Sequence, residues 1–368
     1  MLCLDFILAK LVQKIGNRND LKGCIGIAVD DLTRPTPASI ICDFLVRYLY
    51  DKGVAMSSIH FFIATGAHRQ LTKDDIIKKI GKLSYQNCAI HHHSPFCNTK
   101  YLGKTKYQTP IFVNKGFMEM GFKIVIGGVL PHSSVGFSGG AKLVVPGLSG
   151  IKTICALHRS TPHRKGKFAE IKDNVLRDDI DEAGKLVDVD VYIQVVCSPN
   201  NRTIAHILTG DDLYCYRKAV EYVKEKATLK IGKSYDIGIF NAYPLDTEFL
   251  QAGKAFDIMR ATENKVIKEN GIVILSTAAS EGHGFHHVRS PDMLYPFLGD
   301  WTKAYAPREL IFFGENIKPS MLPEETRVNS KVFNKWAPLL SYLQKRFPVA
   351  NVVVFPYAST QIPKYTGK

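Results

Sequence analysis

The chain has 368 residues, with 48 Lys+Arg against 34 Asp+Glu, a formal charge of +14, and hydrophobic and charged contents of 45% and 22%. These proportions exclude a disordered or collagen-like chain, and the length suits two domains at roughly 150 residues each. The positive excess leaves three kinds of partner open: nucleic acid, an anionic membrane surface, or a small anionic ligand.

The opening MLCLDFILAKLVQKIG reads as an amphipathic helix. Asp5 and Lys10 break its apolar run, and no small-residue cleavage site follows as a signal peptide would need. Apolar, β-branched runs then predict strands at 24–30, 59–64, 122–127, 190–197, 235–241, 271–277, 309–313 and 350–355. Segments of helical period lie between them at 36–52, 72–80, 147–158, 211–225 and 331–345. Alternating strands and helices predict an α/β protein built on mainly parallel sheets. A charged helix end, VKEKATLKIGKS, precedes the fresh strand YDIGIFNA. That shift divides the chain into a larger domain at 1–228 and a smaller one at 229–355, the tail at 356–368 packing back on the first. No run approaches the ~18 apolar residues of a membrane span. Eight cysteines with no CxxC pair fit a reducing cytoplasm better than a disulfide framework or a zinc ribbon.

Residues with chemical potential gather where predicted strands end, the edge at which ligands settle in parallel α/β sheets. Asp30-Asp31-Leu32-Thr33-Arg34-Pro35-Thr36-Pro37 follows the first strand. Thr33 and the prolines suit a helix start, whereas Asp31 and Arg34 suit an anion site. Ala64-Thr65-Gly66-Ala67-His68-Arg69 ends the second strand. A longer stretch from Leu130 to Lys142, PHSSVGFSGGAK, places His132 and Lys142 on a glycine-rich backbone, with His158 near the end of the next helix. Ala141 and Leu143 flank that lysine, so the stretch is not a P-loop, and no GxGxxG is present. His132, Lys142 and His158 are too widely spaced to share one helix face and must be gathered by loops. A buried lysine can serve as nucleophile or attachment point, and imidazole ligates nickel, copper and zinc. In the second domain Gln251 and Lys254, three apart, face the same way on a helix just beyond the strand YDIGIFNA. Ser280-Glu281-Gly282-His283-Gly284 ends another strand with less specificity, and strand alternation splits His91-His92-His93 between two faces.

DDLTRPTP, ATGAHR, PHSSVGFSGGAK with PGLSGIKTICALH, and the Gln251 and Lys254 pair occur in one order from about Leu21 to the C-terminal VVVFPYAS. Together they resemble the nickel-dependent lactate racemase family, the nickel pincer nucleotide enzymes. The resemblance implies two αβ domains with an interdomain active-site cleft. It also implies a pyridinium mononucleotide that holds nickel through sulfur and ring carbon. By the same resemblance Lys142 tethers that cofactor, Asp31 orients Arg34 or contacts the cofactor, and His158 ligates the nickel. His68 and His132 become the two acid/bases, Arg34 and Lys254 bind the substrate carboxylate, and Gln251 supports the substrate. The implied reaction is racemisation or epimerisation of a short 2-hydroxy acid by reversible hydride transfer. Such a route avoids a carbanion beside an ionised carboxylate and calls for one acid/base on each face. Cofactor-maturation proteins acting in trans are the expected partners, with no nucleic acid and no membrane.

Relatives in the family begin with a further segment before the first helix, so the first sheet is expected to lack an edge strand. Two other readings compete. An inactive or sensor paralogue would retain the fold, and a nucleic-acid binder would have to gather its basic residues into a stripe. The charges are instead spread through KDDIIKKIGK, HRKGKF, KEKATLK and the tail, which reads as solvated helix faces.

Overall fold

The computed structural model describes residues 24–160, 166–198, 200, 203–288 and 301–367, with Asp5, Ile7, Ala9 and Lys10 before them. The remainder of the expected first helix lies outside the described residues. The chain divides into two compact units, Met1–Val223 and Lys224–Lys368.

In the first unit the strands are β1 (Ile25–Asp30), β2 (Ile59–Ala64), β3 (Ala89–His92), β4 (Thr99–Lys104), β5 (Pro110–Asn114) and β6 (Phe122–Gly128). They continue with β7 (Pro131–His132), β8 (Val135–Phe137), β9 (Lys167–Phe168), β10 (Val191–Cys197) and β11 (Ile204–Gly210). Six of them form one sheet in the order β11-β10-β6-β1-β2-β3. Only its β10–β11 pair is antiparallel. The central strand β1, IGIAVD, is buried on both faces, as crossover helices require. Ile25, Ile27 and Val29 point to one side, packing with Ile41, Leu45 and Leu49 of the helix Ala38–Asp51 and Ile76 and Ile80 of Lys73–Ile80. Ala28 points to the other, with Leu143, Leu157, Leu176 and Ile180. Period-2 alternation on strands and 3.6-period stripes on helices thus produce two cores around one sheet.

The second unit contains β12 (Thr228–Ile231), β13 (Tyr235–Asn241), β14 (Ile267–Ser276), β15 (Glu309–Phe313), β16 (Lys331–Phe333), β17 (Val352–Phe355) and β18 (Ile362–Tyr365). Five form a wholly parallel sheet in the order β16-β15-β14-β13-β17. Phe240, Val273, Leu275 and Phe312 fill the core on one face, and Ile237, Ile274, Ile311 and Leu339 that on the other. The tail strand β18 pairs in parallel with β12, at the start of this unit. The architecture is the α/β class with mainly parallel sheets that the alternation predicted.

Differences from the sequence reading have local causes. The helix expected over 147–158 is Ile151–Ser160, because 147–148 is a turn and Ser149 bridges to Val113. The helix expected over 331–345 opens instead with β16, which pairs with β15 through Phe312↔Val332 and Phe313↔Phe333. Asn334 then breaks the chain by donating to the carbonyls of Gly314 and Ile317, and the helix starts at Trp336. The helix Val175–Val187 was not anticipated, although Asn174 caps it by accepting from the Arg177 amide.

Two short helices, Lys73–Ile80 and Lys82–Asn87, are joined at Gly81, whose φ is +91°. A Cβ there would stand 2.3 Å from Oδ1 of Asp43, the oxygen that accepts from the Ser84 amide and hydroxyl. Gly81→Ala is therefore expected to destabilise the protein by about 2 kcal/mol or more, read as a lowered denaturant midpoint at unchanged slope.

Candidate active site

Asp31, Thr33, Arg34 and His68 come together beyond the carboxyl ends of β1 and β2, which pair in register with Asp30 opposite Ala64. The Asp31 side chain is almost fully buried. Its Oδ2 lies 2.6 Å from Nδ1 of His68. Its Oδ1 accepts from the Thr33 amide at 3.0 Å and from the Thr33 hydroxyl. Arg34 folds back on the same turn, its guanidinium donating to the Thr33 carbonyl at 3.0 Å and hydroxyl at 2.9 Å. Burial alone would raise the Asp31 pKa. The charge and hydrogen bond of His68, with Arg34 and Thr33, outweigh it and hold the carboxyl well below the usual range. The His68 ring donates from Nδ1 to that carboxylate, which fixes its tautomer. The sequence had associated Asp31 with Arg34 or a cofactor. Its hydrogen bond to His68 carried no signal beyond the shared sheet edge.

The loop beneath these residues rests on a buried ion pair. Lys79 is 2% exposed, and its Nζ donates to Asp30 Oδ1 at 2.6 Å and to the carbonyls of Arg34 and Thr36, each at 3.1 Å. Asp30 Oδ2 accepts from the Thr36 hydroxyl at 2.6 Å and from the Gly128 amide at the end of β6. Lys79 sits in the run read as a solvated charge face. Its burial between Ile76 and Ile80 places it on the inward stripe of its helix, and that spacing was the one available signal.

His132 lies on β7, and its Nδ1 accepts from the Ser134 amide at 3.3 Å and the Val135 amide at 3.5 Å. Lys142 lies in the 3-10 turn Gly140–Leu143. Gly139 and Gly140 take φ of +83° and +58°, and a Cβ at either would come within 2.7 Å of Gln194 Oε1 or the Arg177 guanidinium. Gln194, fully buried, accepts from the Gly140 amide at 2.9 Å. Arg177, also buried, donates to the carbonyls of Phe137 and Gly139 and lies 3.9 Å from the Tyr216 ring centre. Neither clamp was recognised in the sequence. His158 lies on the helix Ile151–Ser160, its Nδ1 2.7 Å from the Ile154 carbonyl. That hydrogen bond keeps the proton on Nδ1 and the lone pair on Nε2.

Gln251 and Lys254 lie in the second unit, on the successive turns Phe249–Ala252 and Gly253–Phe256, with Lys254 Nζ donating to Gln251 Oε1 at 2.7 Å. The expectation that they face the same way is met. His91 stacks on Phe62 and bonds His60 at 2.8 Å, while His93 is buried against the Ser149 carbonyl, where burial pulls its pKa down to about 4. Among the described residues, no group of three or more His, Cys, Asp or Glu is placed to hold a metal ion, and no helix is long and apolar enough to cross a membrane.

Because the folded-state pKa of Asp31 is depressed from 3.8, its pairing stabilises the fold above about pH 4 and is lost as pH falls below that value. Asp31→Asn is therefore expected to flatten the dependence of unfolding free energy on pH below about 4, measured by denaturation at stepped pH.

Residues 10–169 match the family described as lactate racemase N-terminal domain. The lactate racemase of Lactiplantibacillus plantarum is 29% identical over 286 residues, covering 74% of this chain and 65% of that protein. That of Thermoanaerobacterium thermosaccharolyticum is 28% identical over 292 residues, covering 76% and 67%. The chain thus spans about two thirds of the length of these curated relatives. In fold it superposes on the lactate racemase apoprotein of T. thermosaccharolyticum with a TM-score of 0.74 at 22% identity, covering 98% of this chain and 92% of that one. A Thermotoga maritima protein gives the same TM-score at 18% identity, with 99% and 97% covered. The motif resemblance is borne out: residues 10–169 match the lactate racemase N-terminal domain, and the chain is similar to the lactate racemases over about three quarters of its length.

Proposed function

We propose that this protein racemises or epimerises a short 2-hydroxy acid, lactate or a close analogue, in the cytoplasm. The observation that carries the reading is the Asp31–His68 pair set against the Arg34 turn, a proton acceptor and an anion site on neighbouring strand ends. Inverting a 2-hydroxy acid requires three things of the protein: a hold on the carboxylate, a base for the hydroxyl proton, and an acid on the opposite face.

Arg34, in the bidentate manner its planar guanidinium allows, and Lys254 would hold the carboxylate, with Gln251 supporting the substrate. His68 accepts the hydroxyl proton at Nε2, and the buried Asp31 carboxylate stabilises the imidazolium so formed. The backbone amides on Nδ1 of His132 favour the opposite tautomer, with the proton on Nε2. His68 would take the hydroxyl proton of one enantiomer and become imidazolium, and His132, as imidazolium, would return a proton to the keto oxygen on the other face and become neutral. That is the pairing a reaction between mirror-image substrates needs, and each turnover exchanges the roles.

A nickel pincer nucleotide is the cofactor that this reading requires. The residues fit it: an amine on a clamped glycine turn suits a tether, and an imidazole whose Nδ1 is already committed suits ligation through Nε2. Lys142 would hold the group covalently and His158 would ligate its nickel, the other donors coming from the group itself. When bound, it would supply an acceptor for the α-hydrogen as hydride. Maturation proteins in trans would be its source.

Protein co-expressed with those maturation proteins is expected to carry a covalent adduct on Lys142 and one nickel, read by intact mass and elemental analysis. An unmodified mass with no nickel would sink the proposal. In matured protein, Arg34→Gln should raise KM for the hydroxy acid about 10–100-fold, since hydrogen bonds to charged groups are worth about 1.5–3 kcal/mol. His68→Ala or His132→Ala should lower kcat by about 10²–10⁴-fold, measured with either enantiomer.

A further inference from the structure

We propose that Lys79 is a positioning residue for the anion-binding turn, an inference that rests on the role given above to Arg34 and His68. The ammonium is buried and all three of its hydrogens are directed: one to Asp30, one to the Arg34 carbonyl, one to the Thr36 carbonyl. It therefore grips both ends of the Arg34-Pro35-Thr36 segment and ties them to the last residue of β1. Asp30 completes the grip, because its second oxygen takes the Thr36 hydroxyl and the Gly128 amide. From Arg34 the contacts run through Thr33 to Asp31 and on to His68. A side chain needed only to fill this space would be apolar, since an ammonium without partners is costly to bury. What the lysine adds is direction. Its three fixed donors set where the turn lies, and so where the guanidinium and the Asp31 carboxylate lie. No atom of Lys79 need touch the substrate.

The test uses the full chain and separates positioning from bulk stability. Lys79→Met and the double variant Lys79→Met/Asp30→Asn, which leaves no buried charge behind, are compared with Lys79→Arg. Amide hydrogen exchange is followed in the segment 31–38 and, as internal control, in β1 and β2. Exchange in 31–38 is expected to rise at least tenfold in the folded Met variants with β1 and β2 unchanged, and to be largely restored in Lys79→Arg. In matured protein, KM for L-lactate should rise tenfold or more while kcat falls less. A uniform rise across the strands, or a segment 31–38 that exchanges as in wild type, would overturn the proposal. Should neither Met variant fold, Thr36→Val, which removes only the hydroxyl on Asp30, must raise exchange in 31–38 alone, and no change there overturns it. If wild-type matured protein turns over neither lactate nor any other short 2-hydroxy acid, the functional reading fails, while the exchange measurement still decides the role of Lys79.

Discussion

One buried carboxylate organises the loops at the carboxyl end of the first unit's sheet. Asp30 closes β1, and its two oxygens take a lysine ammonium, a threonine hydroxyl and the amide that ends β6. Removing one partner of such a buried pair costs about 3–5 kcal/mol, because the other is left charged and unpaired. Every donor and acceptor in the cluster is therefore constrained by the rest. The turn from Asp31 to Thr36 inherits that constraint, and with it the positions of Arg34 and of the Asp31 carboxylate. A parallel sheet brings loops to one edge. Here a buried ion pair determines how one of those loops is held once it arrives.

A second clamp of the same kind lies under the glycine turn. Gln194 and Arg177 hold the backbone around Gly139 and Gly140 through its amide and carbonyl groups, and the missing side chains let them approach that closely. Lys142 thus projects from a backbone gripped by buried polar groups. His68 and His158 are also fixed through their Nδ1 atoms, one by a carboxylate and the other by a helix carbonyl. In each case the Nδ1 partner sets the tautomer.

Much of this was legible in the sequence because strand ends and local motifs are local properties. The runs CIGIAVD, IHFFIA and YDIGIFNA became β1, β2 and β13 nearly residue for residue. Arg34, His68 and Lys142 stood out because Gly, Pro and Thr surround them at strand ends. What was illegible is long-range. The partner of Asp30 is 49 residues away, and that of Asp31 is 37. Lys79 lay in a charged run that resembles a solvated face, and only its place between two buried isoleucines distinguishes it. The segment 331–345 was misread because Val332 and Phe333 answer to a neighbouring strand and not to a helical period.

The positive charge with which the chain announces itself accordingly has three components. One lies on exposed side chains of helices and strands alike, such as Lys73, Lys104 and Lys230, and favours solubility and the approach of small anions. A buried component, Lys79 and Arg177, holds loops in place. A third, Arg34, Lys142 and Lys254, is the share that the proposed function assigns to a carboxylate and a phosphate-bearing cofactor. The account is tested most directly by chiral analysis of L-lactate incubated with matured protein and with a Lys142→Ala counterpart. It predicts approach to the racemate with the first and none with the second. Matured protein that carries the Lys142 adduct yet interconverts neither lactate nor any other short 2-hydroxy acid would contradict it.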